Sequence, residues 1–389
     1  MNPAPADLLN AHAFEAMRAG QYDSATRLLR EALKMDAKNV HARNNLATCL
    51  KQLGREPEAI RHYESLIADE PTFLYAVNNL AFSYLRQGRY AEGWRLYHNR
   101  RAAHLKIVTI TNPITGKPFL GEPLPDVRGR DVCLVLEQGI GDELFFLRFL
   151  ARLWMLEPAS VWYAPGVKVY PLLRQLDMLG LRLTDSSFST VPRANAVALP
   201  LADLPLLTGH DGTWFPKPLR MLNFSYPYPA PDAPVGVTWR AGDRELVHRG
   251  GTSKQCPPEA LGRALRDLKH RVVVMQRNPA PEELDAFREG LGADCDVYER
   301  DPSPTRELLA LTKQLASLSD YIGVSNTDMY LLQLLGRTAR TLVIHPAEWR
   351  WFGPQVAESP WFPGFRRYHQ TVMGWDEALE GLRVDLGLT

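Results

Sequence analysis

Long apolar runs are absent from this 389-residue sequence. None approaches the roughly 18 residues of a membrane-spanning helix. The opening stretch MNPAPADLLNAHAFEAMRAG has no charged region followed by an apolar one, so neither a membrane span nor a secretory leader is expected, and the chain reads as cytoplasmic. Cysteine is scarce. The four, Cys49, Cys133, Cys256 and Cys295, form no C-x-x-C pair and have no histidine at ligand spacing. That pattern argues against a disulfide framework or a zinc site and suits reduced, mostly buried thiols. An excess of one charge is missing too: 45 Lys and Arg face 44 Asp and Glu. No overall field exists to hold nucleic acid or an anionic membrane surface, although local basic patches remain allowed.

What is present is a chain 45% hydrophobic and 23% charged, long enough for two or three globular units. Its N-terminal part repeats with a period of 34: Gly20, Gly54 and Gly88 keep this spacing, as do Ala13, Ala47 and Ala81. Leu46 and Leu80 recur in register. Ala25, Ala59 and Gly93 hold a small residue, and Leu29, Tyr63 and Tyr97 a large one. Small residues let two antiparallel helices approach, the glycine closes the turn between them, and the large residue fills the gap to the next pair. Pro57, three residues beyond Gly54, falls in a first helical turn, where proline is tolerated.

These positions resemble the tetratricopeptide repeat, with units at residues 6–39, 40–73 and 74–107. Such arrays bind peptides or pack on a partner through the surface of their first helices. Asn10, Asn44 and Asn78 also recur with the period, and Asn45 and Asn79 stand beside two of them. They are either asparagines on solvated helix faces or a row that holds an extended acceptor polypeptide by its backbone, because an amide both donates and accepts. The second alternative resembles the superhelix of O-linked N-acetylglucosamine transferases.

Beyond residue 107 the texture changes. TITNPITGKPFLGEPLPDVRGR is rich in Pro and Gly and reads as a linker. DVCLVLEQ then has the continuous apolar character of a buried parallel strand, and DELFFLRFLARLWML has helical spacing. SVWYAP and NAVALPL are further strands, so residues 108–225 form one α/β unit. After the Pro-rich YPYPAPDAP, strands VGVTW, RVVVMQ and DYIGVS alternate with helices, and residues 226–389 form a second. Two such units in series place strand C-terminal ends along a cleft.

GIGD lies where a strand ends and a helix begins, so Asp142 stands beside that cleft. Spacing alone leaves two alternatives, a helix N-cap and a catalytic carboxylate. The turn is not a dinucleotide fingerprint, because no third glycine follows at the required spacing.

The segments FLGEPLPDVRGRDVCLVLEQGIGDELFFLRF, EGWRLYHNR, VGVTWRAG and HPAEWRWFGPQVAESPWFPGFRRYHQ together resemble bacterial tetratricopeptide-repeat proteins with a glycosyltransferase domain. That domain is similar to the lipopolysaccharide heptosyltransferase family. The resemblance implies a GT-B-like pair of Rossmann-like α/β domains after the helical array, with the acceptor on the first half and a nucleotide-sugar donor on the second. It implies inverting transfer without metal or cofactor, with Asp142 as the general base that takes the acceptor hydroxyl proton. The backbone N–H groups of Gly139 and Gly141 are placed to meet an oxyanion or phosphate.

For the donor, the resemblance points to Trp239, Arg240, Lys254 and Gln276, with either cation opposing the diphosphate. Each cation is otherwise a plain surface charge, and Gln276 otherwise a strand cap. Where the family commonly reads Asp-Thr-Ser-x-x-His, this chain has SNTDMY: Ser325, Asn326 and Thr327 replace the first three, and Tyr330 the His. Asn326, Thr327 and Asp328 still begin a helix able to present N–H groups to phosphate, yet Asp328 adds negative charge there and is equally a plain cap. The aromatic tail EWRWFGPQVAESPWFPGF reads as packing or as a nucleobase face. The expected activity is sugar transfer to a protein recruited by the repeats. Transfer to a saccharide or lipid-linked glycan, and a noncatalytic scaffold on a degenerate transferase, are the alternatives.

Overall fold

The computed structural model describes residues 4–100, 111–119, 123–176, 180–220, 229–242 and 254–388. The chain begins with helices α1 (Pro5–Arg18), α2 (Tyr22–Met35), α3 (Val40–Gln52), α4 (Glu56–Asp69), α5 (Leu74–Arg86) and α6 (Tyr90–Tyr97), each packed on the next. Gly20, Gly54 and Gly88, at φ 73°, 75° and 78°, sit in the left-handed conformation that ends the first helix of each pair. Ala13, Ala25, Ala47, Ala59 and Ala81 are fully buried at the contacts, and Leu29, Tyr63 and Tyr97 fill the gaps behind them. At Gly93 an added Cβ would lie 2.7 Å from Leu85 Cδ2, so any side chain there would have to displace Leu85 from the α5–α6 contact.

The chain divides into two compact units, Met1–Thr109 with His345–Gly353, and Ile110–Ile344 with Pro354–Thr389. The repeat unit therefore contains a nine-residue segment from far along the chain. Arg86 on α5 donates from Nη1 to the Ala347 carbonyl at 2.5 Å, and Trp349 meets the Trp94 ring edge-on at 5.3 Å. Part of the aromatic tail is thus packing for the repeats. The expected junctions at 107/108 and 225/226, and the last residues of the third repeat, lie outside the described residues.

The second unit holds two sheets, parallel throughout. One consists of β1 (Asp131–Val135), β2 (Ser160–Ala164), β3 (Leu181–Leu183) and β4 (Ala196–Pro200), in the order β3-β2-β1-β4. The other consists of β5 (Val235–Thr238), β6 (Val272–Val274), β7 (Asp296–Val297), β8 (Asp320–Val324), β9 (Arg340–Val343) and β10 (Arg366–His369), in the order β10-β9-β8-β5-β6-β7. Helices α7 (Ile140–Phe146), α8 (Pro258–Ala264), α9 (Pro281–Leu291), α10 (Glu307–Ala316), α11 (Thr327–Leu334) and α12 (Asp376–Asp385) run between or after the strands. Val235, Val237, Val274, Ile322 and Leu342 bury the faces of the second sheet, which is why these strands read as continuous apolar runs. The architecture is the expected one, a helical repeat array followed by two Rossmann-like halves. All four cysteines are free thiols, and no helix among the described residues is long and apolar enough to cross a membrane.

Candidate functional site

In both sheets the chain first adds strands on one side and then crosses to the other. The strand order therefore reverses between β1 and β4, and between β5 and β8. Such a switch point leaves a crevice at the strand C-terminal ends. In the second sheet a cavity of about 90 Å³ opens there, lined by Thr238 from the end of β5, by Gln276 and Arg277 after β6, and by Asn326, Thr327 and Asp328 at the start of α11. Ile140 of the GIGD turn closes it from the first half.

The start of α11 is held by a buried network. Asn326 is the N-cap, and its Oδ1 accepts the Asp328 N–H at 2.9 Å. Its Nδ2 donates to Thr238 Oγ1 at 3.1 Å and to the Tyr321 hydroxyl at 3.2 Å. That hydroxyl donates to Asp328 Oδ2 at 2.8 Å. Asp328 is only 1% exposed, and burial pushes its carboxyl above the ordinary value despite the opposing pull of Arg300. The cap is thus Asn326, and Asp328 is an interior carboxylate in the cavity wall.

The other residues read from sequence as donor contacts divide. Gln276 lines the cavity and also caps the strand: its Oε1 accepts the N–H groups of Trp239 and Arg240 at 3.1 and 3.0 Å. Arg240 lines the cavity, but its guanidinium is occupied. It donates to both oxygens of Glu283, at 2.8 and 3.1 Å, and to the carbonyls of Gly242, Arg277 and Asn278. Burial would raise the Glu283 carboxyl, but the hydrogen bonds and charge of Arg240, with the Ala280 N–H donating at 2.8 Å, outweigh it and hold the group below its ordinary range. Trp239 is a core residue, fully buried and stacked on Phe287 at 5.2 Å. Lys254 pairs by its carbonyl with the Ala241 N–H at 3.0 Å and is not part of the cavity lining.

Two arginines absent from the sequence reading also line the cavity, Arg300 and Arg277. Arg300 lines the cavity with loose contacts: Nη2 lies 3.3 Å from the Met275 carbonyl and 3.5 Å from Asp328, and Nη1 is 3.8 Å from Glu307. Its Nε is buried without a hydrogen-bond partner. Arg277 also lines the cavity and is half-buried. Its position directly after the strand-end Gln276 was visible in VVVMQR, whereas nothing in YERDPS marks Arg300.

On the facing half, Gly139 is the N-cap of α7, with Gly141 and Asp142 in the first turn. Asp142 is therefore the third helical residue rather than the cap, and it is half-buried. Gly141 is required by a neighbour from the second half: a Cβ there would stand 2.9 Å from the Tyr330 ring of α11. Below the turn, Arg148 donates to the Trp361 carbonyl at 2.7 Å and to Gln333, tying the two halves together.

In the repeats the asparagines form rungs. Asn45 Nδ2 donates to Asn10 Oδ1 at 3.0 Å, and Asn79 Nδ2 to Asn44 Oδ1 at 3.1 Å. The amides of successive first helices are thus paired with each other, while the Asn78 Oδ1 is buried without a partner.

No curated protein sequence matches the chain. Solved structures similar to it include a mutant of the O-GlcNAc transferase of Thermobaculum terrenum, at 15% identity and TM-score 0.35, over 98% of this chain and 91% of that one. Another is E. coli heptosyltransferase WaaC with ADP-2-deoxy-2-fluoro heptose, at 13% identity and TM-score 0.40, over 66% and 99%. A third is the Sgt2 TPR domain of Aspergillus fumigatus, at 22% identity and TM-score 0.25, over 27% and 70%. Residues 16–72 match the tetratricopeptide-repeat family model, so the N-terminal array carries tetratricopeptide repeats.

Proposed function

We propose that the chain is a cytoplasmic glycosyltransferase that moves a sugar, with inversion and without a metal ion, from a nucleotide-sugar to a protein held by the repeats. The carrying observation is the cavity at the β5/β8 switch point. Arg277, Arg300 and the start of α11 converge there, and the GIGD turn faces it through Ile140. A helix start and two cations suit a diphosphate leaving group. Asp142, two residues beyond Ile140, is the base that takes the acceptor proton. The Asn rungs hold the acceptor through amide capacity left over from their mutual pairing. The test is mass spectrometry of candidate protein acceptors after incubation with a panel of nucleotide-sugars. A single sugar mass added to a protein supports this function, and addition only to saccharide or lipid-linked acceptors moves it to the glycan-directed alternative.

One feature favours a second reading, a scaffold without activity. Asp328 and Glu307 put two buried carboxylates in the cavity wall, which oppose an anion unless their charge is compensated. Full-length protein that binds no nucleotide would support it.

A further inference from the structure

Part of that compensation comes from the first half of the unit. Lys168, in the loop after β2, places its ammonium 2.6 Å from Glu307 Oε2. Glu307 is 7% exposed, lines the cavity, and presents its other oxygen to Arg300 at 3.8 Å. One carboxylate is thus shared by two cations, closely by Lys168 and loosely by Arg300. The Lys168 loop is itself pinned. The N–H of Gly166 donates to Glu143 Oε1 at 3.1 Å, and the Tyr163 hydroxyl donates to the same oxygen at 2.7 Å. Glu143 follows Asp142 directly on α7. An exposed ion pair would contribute little. Here the carboxylate is in the cavity wall, where its charge acts on whatever enters.

We infer that Lys168 is a positioning residue for the anionic group that occupies the cavity. By holding Glu307 it neutralises that carboxylate of the wall and leaves more of Arg300 to pair with the anion, and it does so from the half that carries Asp142. Without Lys168, the cation left paired with Glu307 among the described residues is Arg300, and the carboxylate then competes with the anion for it. This rests on the donor function proposed above, so the test uses inorganic pyrophosphate, the anion alone, with the full chain in a titration calorimeter.

Lys168→Met is expected to weaken pyrophosphate binding on the order of tenfold. Adding Glu307→Gln should restore affinity to within about threefold, because the charge that needed neutralising is gone. An ion pair that serves stability alone gives another pattern: a lower Tm in Lys168→Met with unchanged affinity. That pattern, or wild-type protein that binds no pyrophosphate, overturns the inference. Nucleoside diphosphates that bind no tighter than pyrophosphate count instead against the donor function and leave the role of Lys168 standing.

Discussion

Replacing Arg240 by alanine separates a buttress from a ligand contact. The Arg240 and Glu283 side chains are 3% and 8% exposed and joined through two hydrogen bonds. The remaining guanidinium donors hold the loop carbonyls of Gly242, Arg277 and Asn278. Arg240→Ala leaves the Glu283 carboxylate buried without its counter-charge, a change that costs about 3–5 kcal/mol, a large share of the ~5–15 kcal/mol of a typical fold. Arg240→Met with Glu283→Leu removes both charges and should recover most of the loss.

Equilibrium unfolding in urea reads both variants. The pH dependence has a definite sign. The Glu283 carboxyl lies below its ordinary 4.5 in the folded chain, so the stability from the pair is present above that value and is lost as pH falls through the lower folded one. The gap between wild type and Arg240→Ala should therefore narrow in acid. If Arg240→Ala keeps stability within about 1 kcal/mol of wild type and loses pyrophosphate binding instead, the buttress role is wrong and Arg240 contacts the ligand.

Asp142→Asn keeps the size of a first-turn residue and loses the basic group, so transfer should fall at least ~100-fold while donor affinity stays close to normal; turnover within a few-fold of wild type would reject Asp142 as the base. Asn44→Ala with Asn78→Ala removes the 3.1 Å rung to Asn79 and should cost about 1 kcal/mol in the repeats while weakening protein glycosylation more than slow donor hydrolysis. Equal loss of both activities would mean that the rungs only support the fold. Treatment with a chelator should leave turnover unchanged, and activity restored by magnesium after chelation would contradict the metal-free mechanism.

The repeats were legible because each helix pair buries the same positions: the alanines fall at fully buried contacts and the glycines at positive φ. Strands β1, β5, β6 and β8 were legible because both faces are covered, which leaves unbroken apolar runs. β10 was not, since Arg366–His369 is a charged edge strand, and two-residue β7 is too short to carry a period. At the site, Gln276 and the turn after β8 were visible as strand ends. Arg300 was not, because it reaches the cavity from an irregular segment after β7 whose position depends on tertiary packing. Trp239 was named as a donor contact only through the family resemblance, and its full burial and stacking on Phe287, neither legible in VGVTWRAG, place it in the core.

The most direct measurement is a structure of the full chain crystallised with a nucleotide-sugar that it binds. Sugar transfer from the second half predicts the diphosphate against Arg300, Arg277 and the N–H groups of Asn326 and Thr327, with the sugar directed toward the turn that carries Asp142. A nucleotide bound elsewhere, or a cavity that stays empty at saturating ligand, would contradict it.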